Sequence, residues 1–449
     1  MAQKVSSKSA DPGIVEKIDI FSNSDPSKSV SLLGGLISLT YIESIMSDTI
    51  KMTISFADSG STIDKKTLTQ GLPLVGQEKV IIKFADNSEN YIGDSPQLIL
   101  YVNKITNVVD KTQKSIINLD LVSKEYILNE KIRLNQRFDG KISDHVKNIL
   151  TDSKYLRTEK TTTIEDSVND YNFFGNNKKS FYTISWLAKK AVSSQNQTVG
   201  QTAGYFFYET YDGFFFKSID GLLDQEPKLK LIYNETPDTL GANIPEGYDQ
   251  KILDFRKDNN VNVQEKLKMG AFSNRIVLFD PFTCFYEVKA PATDETEDSI
   301  KTGGKQLYLG SENRNKEFDI EGANEEFSRT QYFLLDTGTA PAGDTEQQIS
   351  NSTEENFEYG QIANQSIMRY NQMYSMRSSI TIAGNFTLRA GDAIYIDSPG
   401  LEDEKTDDID RKDGGLYIIT DICHQITTKG TYTQCNLARD SFGRKPKTR

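Results

Sequence analysis

The sequence predicts a mainly β chain with smaller α/β parts: two similar antiparallel β-barrels, a helical domain and an inserted α+β domain. Three observations carry that expectation. Short runs that alternate apolar and polar residues crowd both ends of the chain, stretches near the two ends resemble each other, and helical spacing is confined to the middle. The 23 Phe and 21 Tyr against one Trp point the same way, because aromatic and β-branched side chains pack well on a pleated surface. A chain of 449 residues has room for about three domains, at ~150 residues each.

Residues 1–125 read as the first barrel. Ile14 to Phe21 and Leu36 to Tyr41 are apolar runs, and Ile50-Lys51-Met52-Thr53-Ile54-Ser55-Phe56 alternates with period two, the pattern of a half-buried strand. Val80 to Phe84, Leu98 to Val102 and Ser115 to Leu121 follow, separated by Gly, Asp and Ser clusters. Strands so closely spaced, with no helix between them, form antiparallel sheets.

Residues 126–203 read as a helical, mixed domain. Ile142, Val146, Ile149 and Leu150 fall at helical spacing, which makes His145 an exposed or half-buried helix residue. Ser180 is placed to cap a second helix carrying Ile184, Leu187, Ala188 and Ala191 on one face. Tyr205 to Tyr211, the dipeptide Asp212-Gly213 and Phe214 to Ile219 read as a hairpin, since such a turn needs positive φ.

Residues 236–375 read as the insert: a helix Val263–Met269 stopped by Gly270, strands Asn274–Phe279 and Thr283–Val288, and a helix from Gln361 to Met376. The acidic stretches Asp294–Asp298 and Ala340–Glu358 lack material to bury and read as surface loops. Strand patterns return at Ser379 to Ile396 and Leu416 to Arg439. Residues 204–235 and 376–441 therefore read as one split second barrel, and 442–449 as a basic, frayed tail.

An internal repeat links the two ends. Leu74 to Ile82 resembles Leu388 to Ile396, and each is followed by a polar loop and a long hairpin. Leu100 to Leu119 superposes on Ile418 to Leu437 without a gap, pairing Asn118-Leu119 with Asn436-Leu437 and placing Lys111 and Lys429 at the turns. A trimer of such chains would present six similar positions around a ring, so that it could meet a hexamer.

Composition narrows the function classes. A net charge of −12 argues against nucleic-acid binding, which needs basic residues to displace phosphate counterions. Cys284, Cys423 and Cys435 do not make a disulfide framework. The opening residues lack the apolar core of a signal peptide, and the longest apolar stretch, Val30 to Leu39, is too short to span a bilayer. Synthesis in a cytoplasm is expected.

Catalytic, cofactor and metal sites are all expected to be absent. The only histidines are His145 and His424. His424 beside Cys423, with Cys435 across the hairpin, would make an incomplete zinc set that lacks a fourth ligand and close ligand spacing. Packing is the better reading, and whether Cys423 and Cys435 share a face depends on register. The cluster Glu402, Asp403, Glu404, Asp407, Asp408, Asp410 and Asp413 suggests calcium, but Lys412 and Asp413 fall where an EF-hand-type loop needs a ligand and then Gly. Carboxylates abound, as a paired-carboxylate glycosidase needs, but nothing singles out a pair.

Leu36 to Ile45 running into Met52 to Gly60, Gly384-Asn385-Phe386-Thr387-Leu388-Arg389-Ala390-Gly391, and Leu416 to Asp440 resemble the two barrels of the baseplate central hub (torus) proteins of contractile-tailed bacteriophages. The resemblance covers about two thirds of the chain and leaves 290–358 unmatched. It implies a homotrimeric, pseudo-sixfold ring that joins a hexameric tail tube to a trimeric cell-puncturing spike. It also implies a lumen for tape-measure protein and DNA, surrounding wedge proteins, no membrane insertion, and a place in the virion. An acidic lumen would suit that passage, because it would repel DNA rather than retain it. The hub of a tailocin or other contractile injection system is the nearest alternative, and a carbohydrate-active tail enzyme a more distant one.

Overall fold

The computed structural model describes residues 10–60, 68–72, 74–111, 114–194, 203–233, 244, 247–258, 263–271, 274–281, 284–289, 305–306, 329–336, 344–346, 359–398 and 414–442. Most of the strands join one 14-stranded sheet whose two halves follow a single plan. In the first half Lys79–Ala85, Leu98–Lys111, Lys114–Val122, Lys51–Asp58 and Leu36–Ser44 lie side by side in that order. In the second, Ala393–Asp397, Gly415–Thr427, Gly430–Arg439, Met376–Ala383 and Gln250–Asp258 do the same. Every neighbouring pair within each set is antiparallel.

The sixth strand distinguishes the halves. Leu229–Ile232 pairs in parallel with both Ala393–Asp397 and Gln250–Asp258, which closes the second half into a six-stranded barrel. This barrel is therefore mixed, where an all-antiparallel one was expected. Ile14–Phe21 pairs antiparallel with Lys79–Ala85 and with the short Ser29–Ser31. It makes no ladder with Leu36–Ser44 among the described residues, and the first half stays open between them.

Irregularities recur along with the strands. Leu98–Lys111 bulges between Val102 and Lys104, and Gly415–Thr427 between Ile419 and Asp421. Leu36–Ser44 bulges between Leu36 and Ser38, and Gln250–Asp258 between Ile252 and Asp254. A bulge inserts one unpaired residue and re-aims the strand, so these positions align the halves rung by rung.

That alignment corrects the register expected from the sequence. Val102 faces Leu121 as Ile419 faces Leu437, so the counterpart of Leu437 is Leu121 rather than Leu119. A second bulge, between Asn107 and Val109, has no partner in the other hairpin and breaks the gap-free superposition. Lys111 ends its strand opposite Lys114, whereas Lys429 lies inside the turn between Thr427 and Gly430.

The aromatic hairpin is not part of the barrel. Tyr205–Thr210 and Gly213–Ser218 form a three-stranded sheet with Thr162–Ile164. Alternation explains the choice. Tyr205, Phe207, Phe214 and Phe216 join the core of the helical unit, while Phe206 and Tyr208 on the other face join the barrel core. Both faces are covered, so all six residues of Tyr205–Thr210 are buried. The turn is Tyr211-Asp212, and Gly213 opens the return strand where a Cβ would lie 2.1 Å from the Thr161 carbonyl oxygen. The barrel instead takes in Gln250–Asp258, which had read as insert because its charged residues mask the pattern.

Helices Lys124–Lys131, Ile142–Thr151 and Ser180–Ala188 pack into the same core as one face of the hairpin. Ser180 is the first helical residue rather than the cap, and Asn129 Oδ1 accepts from the Phe181 amide at 2.9 Å. Val263–Met269 is helical and Gly270 follows it at φ 75°. A small sheet of Arg275–Asp280, Phe285–Lys289 and Thr330–Leu334 comes next in the chain. The last helix runs Tyr359–Met373, and Met376 already begins a barrel strand. Residues 290–304, 340–343, 347–358 and 401–413, which include most of the acidic stretches and all of the acidic cluster, lie outside the described residues.

Candidate functional site

A buried polar region lies at the junction between the two halves. Gly415–Thr427 builds it by serving both. Its first residues, Gly415 to Ile418, pair with Ala393–Asp397 in the barrel, and Asp421 to Thr427 then pair with Ser38 to Ser44 of the first sheet. Glu43 sits on that shared ladder opposite Ile422 and is fully buried. Its carboxylate accepts from Tyr41 Oη at 2.6 Å, the Tyr211 amide at 2.8 Å and the Ala390 amide at 3.0 Å. One side chain thus ties the first sheet, the aromatic turn and the barrel loop together. Burial holds Glu43 above the usual carboxylate range, opposed by the charge of Arg389. The Arg389 guanidinium lies 5.1 Å over the Tyr211 ring, with Nε 3.3 Å from Asp212.

His424 belongs to this junction as a packed, hydrogen-bonded side chain. It is fully buried and stacks on Tyr41 with ring centroids 6.0 Å apart. Nδ1 lies 3.0 Å from Thr433 Oγ1 and Nε2 lies 3.4 Å from the Leu388 carbonyl. Cys435 pairs with Ile422 and Cys423 with Gln434, so the two thiols are on successive rungs and face opposite ways. All three cysteines are free. Among the described residues no group of three His, Cys, Asp or Glu could hold a metal ion.

His145 is buried, which corrects the exposed or half-buried expectation. Its ring packs edge-on to Phe138 and Phe173, and Nε2 lies 2.8 Å from the Tyr171 carbonyl. Spacing alone marks the helix face, but not the aromatic wall that covers it, which comes from Phe138 before the helix and Phe173 well after it. Gly391 has φ 87°, and a Cβ there would meet Tyr208 Oη at 2.4 Å.

Three features escaped the sequence reading. Glu209, fully buried, accepts from the Ile50 amide at 3.1 Å, from Ser123 Oγ and from Lys160 Nζ. Burial works against the Lys160 charge, yet Glu209 and Glu125 hold its pKa above the ordinary value. A buried pair joins Arg369 to Asp220. A cleft of about 1100 Å³ runs between helices Ser180–Ala188 and Tyr359–Met373, with Lys51, Lys189 and Arg329 among its lining residues. Beside it Lys190 lies 4.5 Å from the Trp186 and Tyr359 rings and 4.9 Å from Tyr171. Burial pushes Lys190 down to about 8 against the pull of Asp336, 3.7 Å away. Such a lysine has the pKa of a nucleophile, but its amine is enclosed by rings and paired, which suits it to packing rather than attack.

No family model matches the chain, and no curated protein matches it in sequence. Solved structures do match. A tail protein from Neisseria meningitidis MC58 superposes with a TM-score of 0.50 at 8% identity, covering 94% of this chain and 96% of that one. The 43 kDa tail protein of prophage MuSo2 from Shewanella oneidensis gives 0.49 at 8% identity, covering 95% and 98%. An E. coli component of the type VI secretion system, itself described as similar to T4 bacteriophage tail proteins gp27 and gp5, gives 0.43 at 9% identity over 96% and 80%. The chain has the β-rich fold of the meningococcal tail protein along nearly its whole length.

Proposed function

We propose that this chain is a structural subunit of a phage tail baseplate, the hub that joins the tail tube to the cell-puncturing spike. The observation that carries the reading is the repeated sheet plan within one chain, five strands in the same spatial and chain order with bulges at matching rungs. A chain with two similar modules offers two similar docking positions. Three copies offer six, which reconciles a trimeric spike with a hexameric tube. The buried polar groups support a fixed scaffold: they cross-link segments from distant parts of the chain instead of converging on open space. The work is then done by geometry, without catalysis or a bound cofactor. Tape-measure protein and DNA pass through the lumen of the ring, and wedge proteins surround it.

Light scattering of the chain co-expressed with the spike of the same tail tests this. Three copies of each are expected. A stable 2:2 or 6:6 complex rules the reading out.

A further inference from the structure

The join between the two halves inside one chain also leaves its complement unused. Asp421 to Thr427 pair with Ser38 to Ser44, so the far end of a long strand in the barrel docks on the edge of the first sheet. The repeat supplies the same two edges a second time. Leu98–Lys111 is the counterpart of Gly415–Thr427, and its partner on the Lys79–Ala85 side ends at Tyr101. Gln250–Asp258 is the counterpart of Leu36–Ser44, and its partner on the Leu229–Ile232 side ends at Lys251. Among the described residues no strand continues either ladder.

We propose that these two edges pair with each other between copies of the chain, with residues 103–111 of one copy antiparallel to residues 252–258 of the next. This rests on the ring proposed above and names the surface that closes it. An open strand edge is a template for another strand, and an edge that meets a different edge on the next copy makes a heterologous contact, the kind that generates rings. The matched bulges fix the register. Val102 corresponds to Ile419 and Leu36 to Ile252, so the internal pair Cys423–Ile42 becomes Thr106–Asp258 between copies.

The side chains differ between the two joins in an informative way. Inside the chain the ladder carries the stacked, buried Tyr41 and His424. Their counterparts Lys257 and Asn107 are polar and exposed, as are Asn103, Lys104 and Arg256. Leu253, at the bulge, is 51% exposed, and Val108 is 54% exposed. The internal join is thus a permanent core, whereas the contact between copies is a polar edge able to wait in water until assembly.

Disulfide trapping tests the register. The variant Thr106→Cys with Asp258→Cys is made in a Cys284→Ser background, which removes the exposed native thiol. Asp258 is exposed and Thr106 half-buried on the open edge, so neither substitution enters the core. Oxidation of the concentrated full chain is expected to link three copies into a closed covalent ring, while each single-cysteine variant remains monomeric on a non-reducing gel. A native mass of three copies with no cross-link, or with the disulfide formed inside one chain, overturns the edge pairing and leaves the ring standing. A complex with the spike that holds fewer than three copies of the chain overturns both.

Discussion

At the residue scale the junction concentrates the sensitive positions. His424 makes two polar contacts and lies within 6.0 Å of two aromatic rings while fully buried. Truncating it leaves a cavity and partners with unmet hydrogen bonds, so His424→Ala should lose ~2–4 kcal/mol. Urea unfolding decides, and a loss below ~1 kcal/mol would place the ring outside the core. Gly391→Val meets both a left-handed backbone and the Tyr208 hydroxyl, and a cost of at least ~2 kcal/mol is expected in the same assay. His145 brings pH dependence. Burial lowers its pKa below the ordinary 6.5, so the unfolded chain binds a proton that the folded chain refuses. Stability therefore falls as pH drops below about 6.5 toward the folded pKa. The stability difference between the parent and His145→Gln should narrow across that window, as urea midpoints at pH 7 and pH 5 would reveal.

At the scale of elements the aromatic hairpin is the wedge on which the helical unit and the barrel both rest. Phe206 and Phe207 are neighbours in sequence but belong to different cores. Replacing either with Ala should cost ~3–5 kcal/mol. Hydrogen exchange should separate them: Phe206→Ala loosens Met376–Ala383 and Gly415–Thr427, whereas Phe207→Ala loosens Ser180–Ala188. Equal loosening of both regions would mean that the two faces form one core. The hairpin was legible as a hairpin because its aromatic density admits little else. Its position was not legible. A strand buried on both faces shows no alternation, and so no sign of which neighbour each face meets.

At the scale of the whole molecule, the repeat is a statement about geometry more than about residue identity. Matching letters suggested a gap-free overlay in which Leu119 met Leu437, but bulges two residues away set the true rungs. Strand content, the helical middle and the similarity of the two ends were readable from periodicity, because a pleated strand and a helix impose periods of 2 and 3.6 on any chain that buries one face. Charge and cysteine content were readable for the same local reason. Tertiary structure decided what no local pattern encodes. It brought Gln250–Asp258 into the barrel, turned Leu229–Ile232 parallel to both neighbours, and placed Glu43 beneath amides from residues 211 and 390. Glu43 reads as an ordinary polar strand residue, and only burial by segments more than 150 residues away makes it a latch. Local periodicity thus determined the kinds of element, while the closing of edges, a long-range matter of which backbone groups remained unpaired, decided how they assemble.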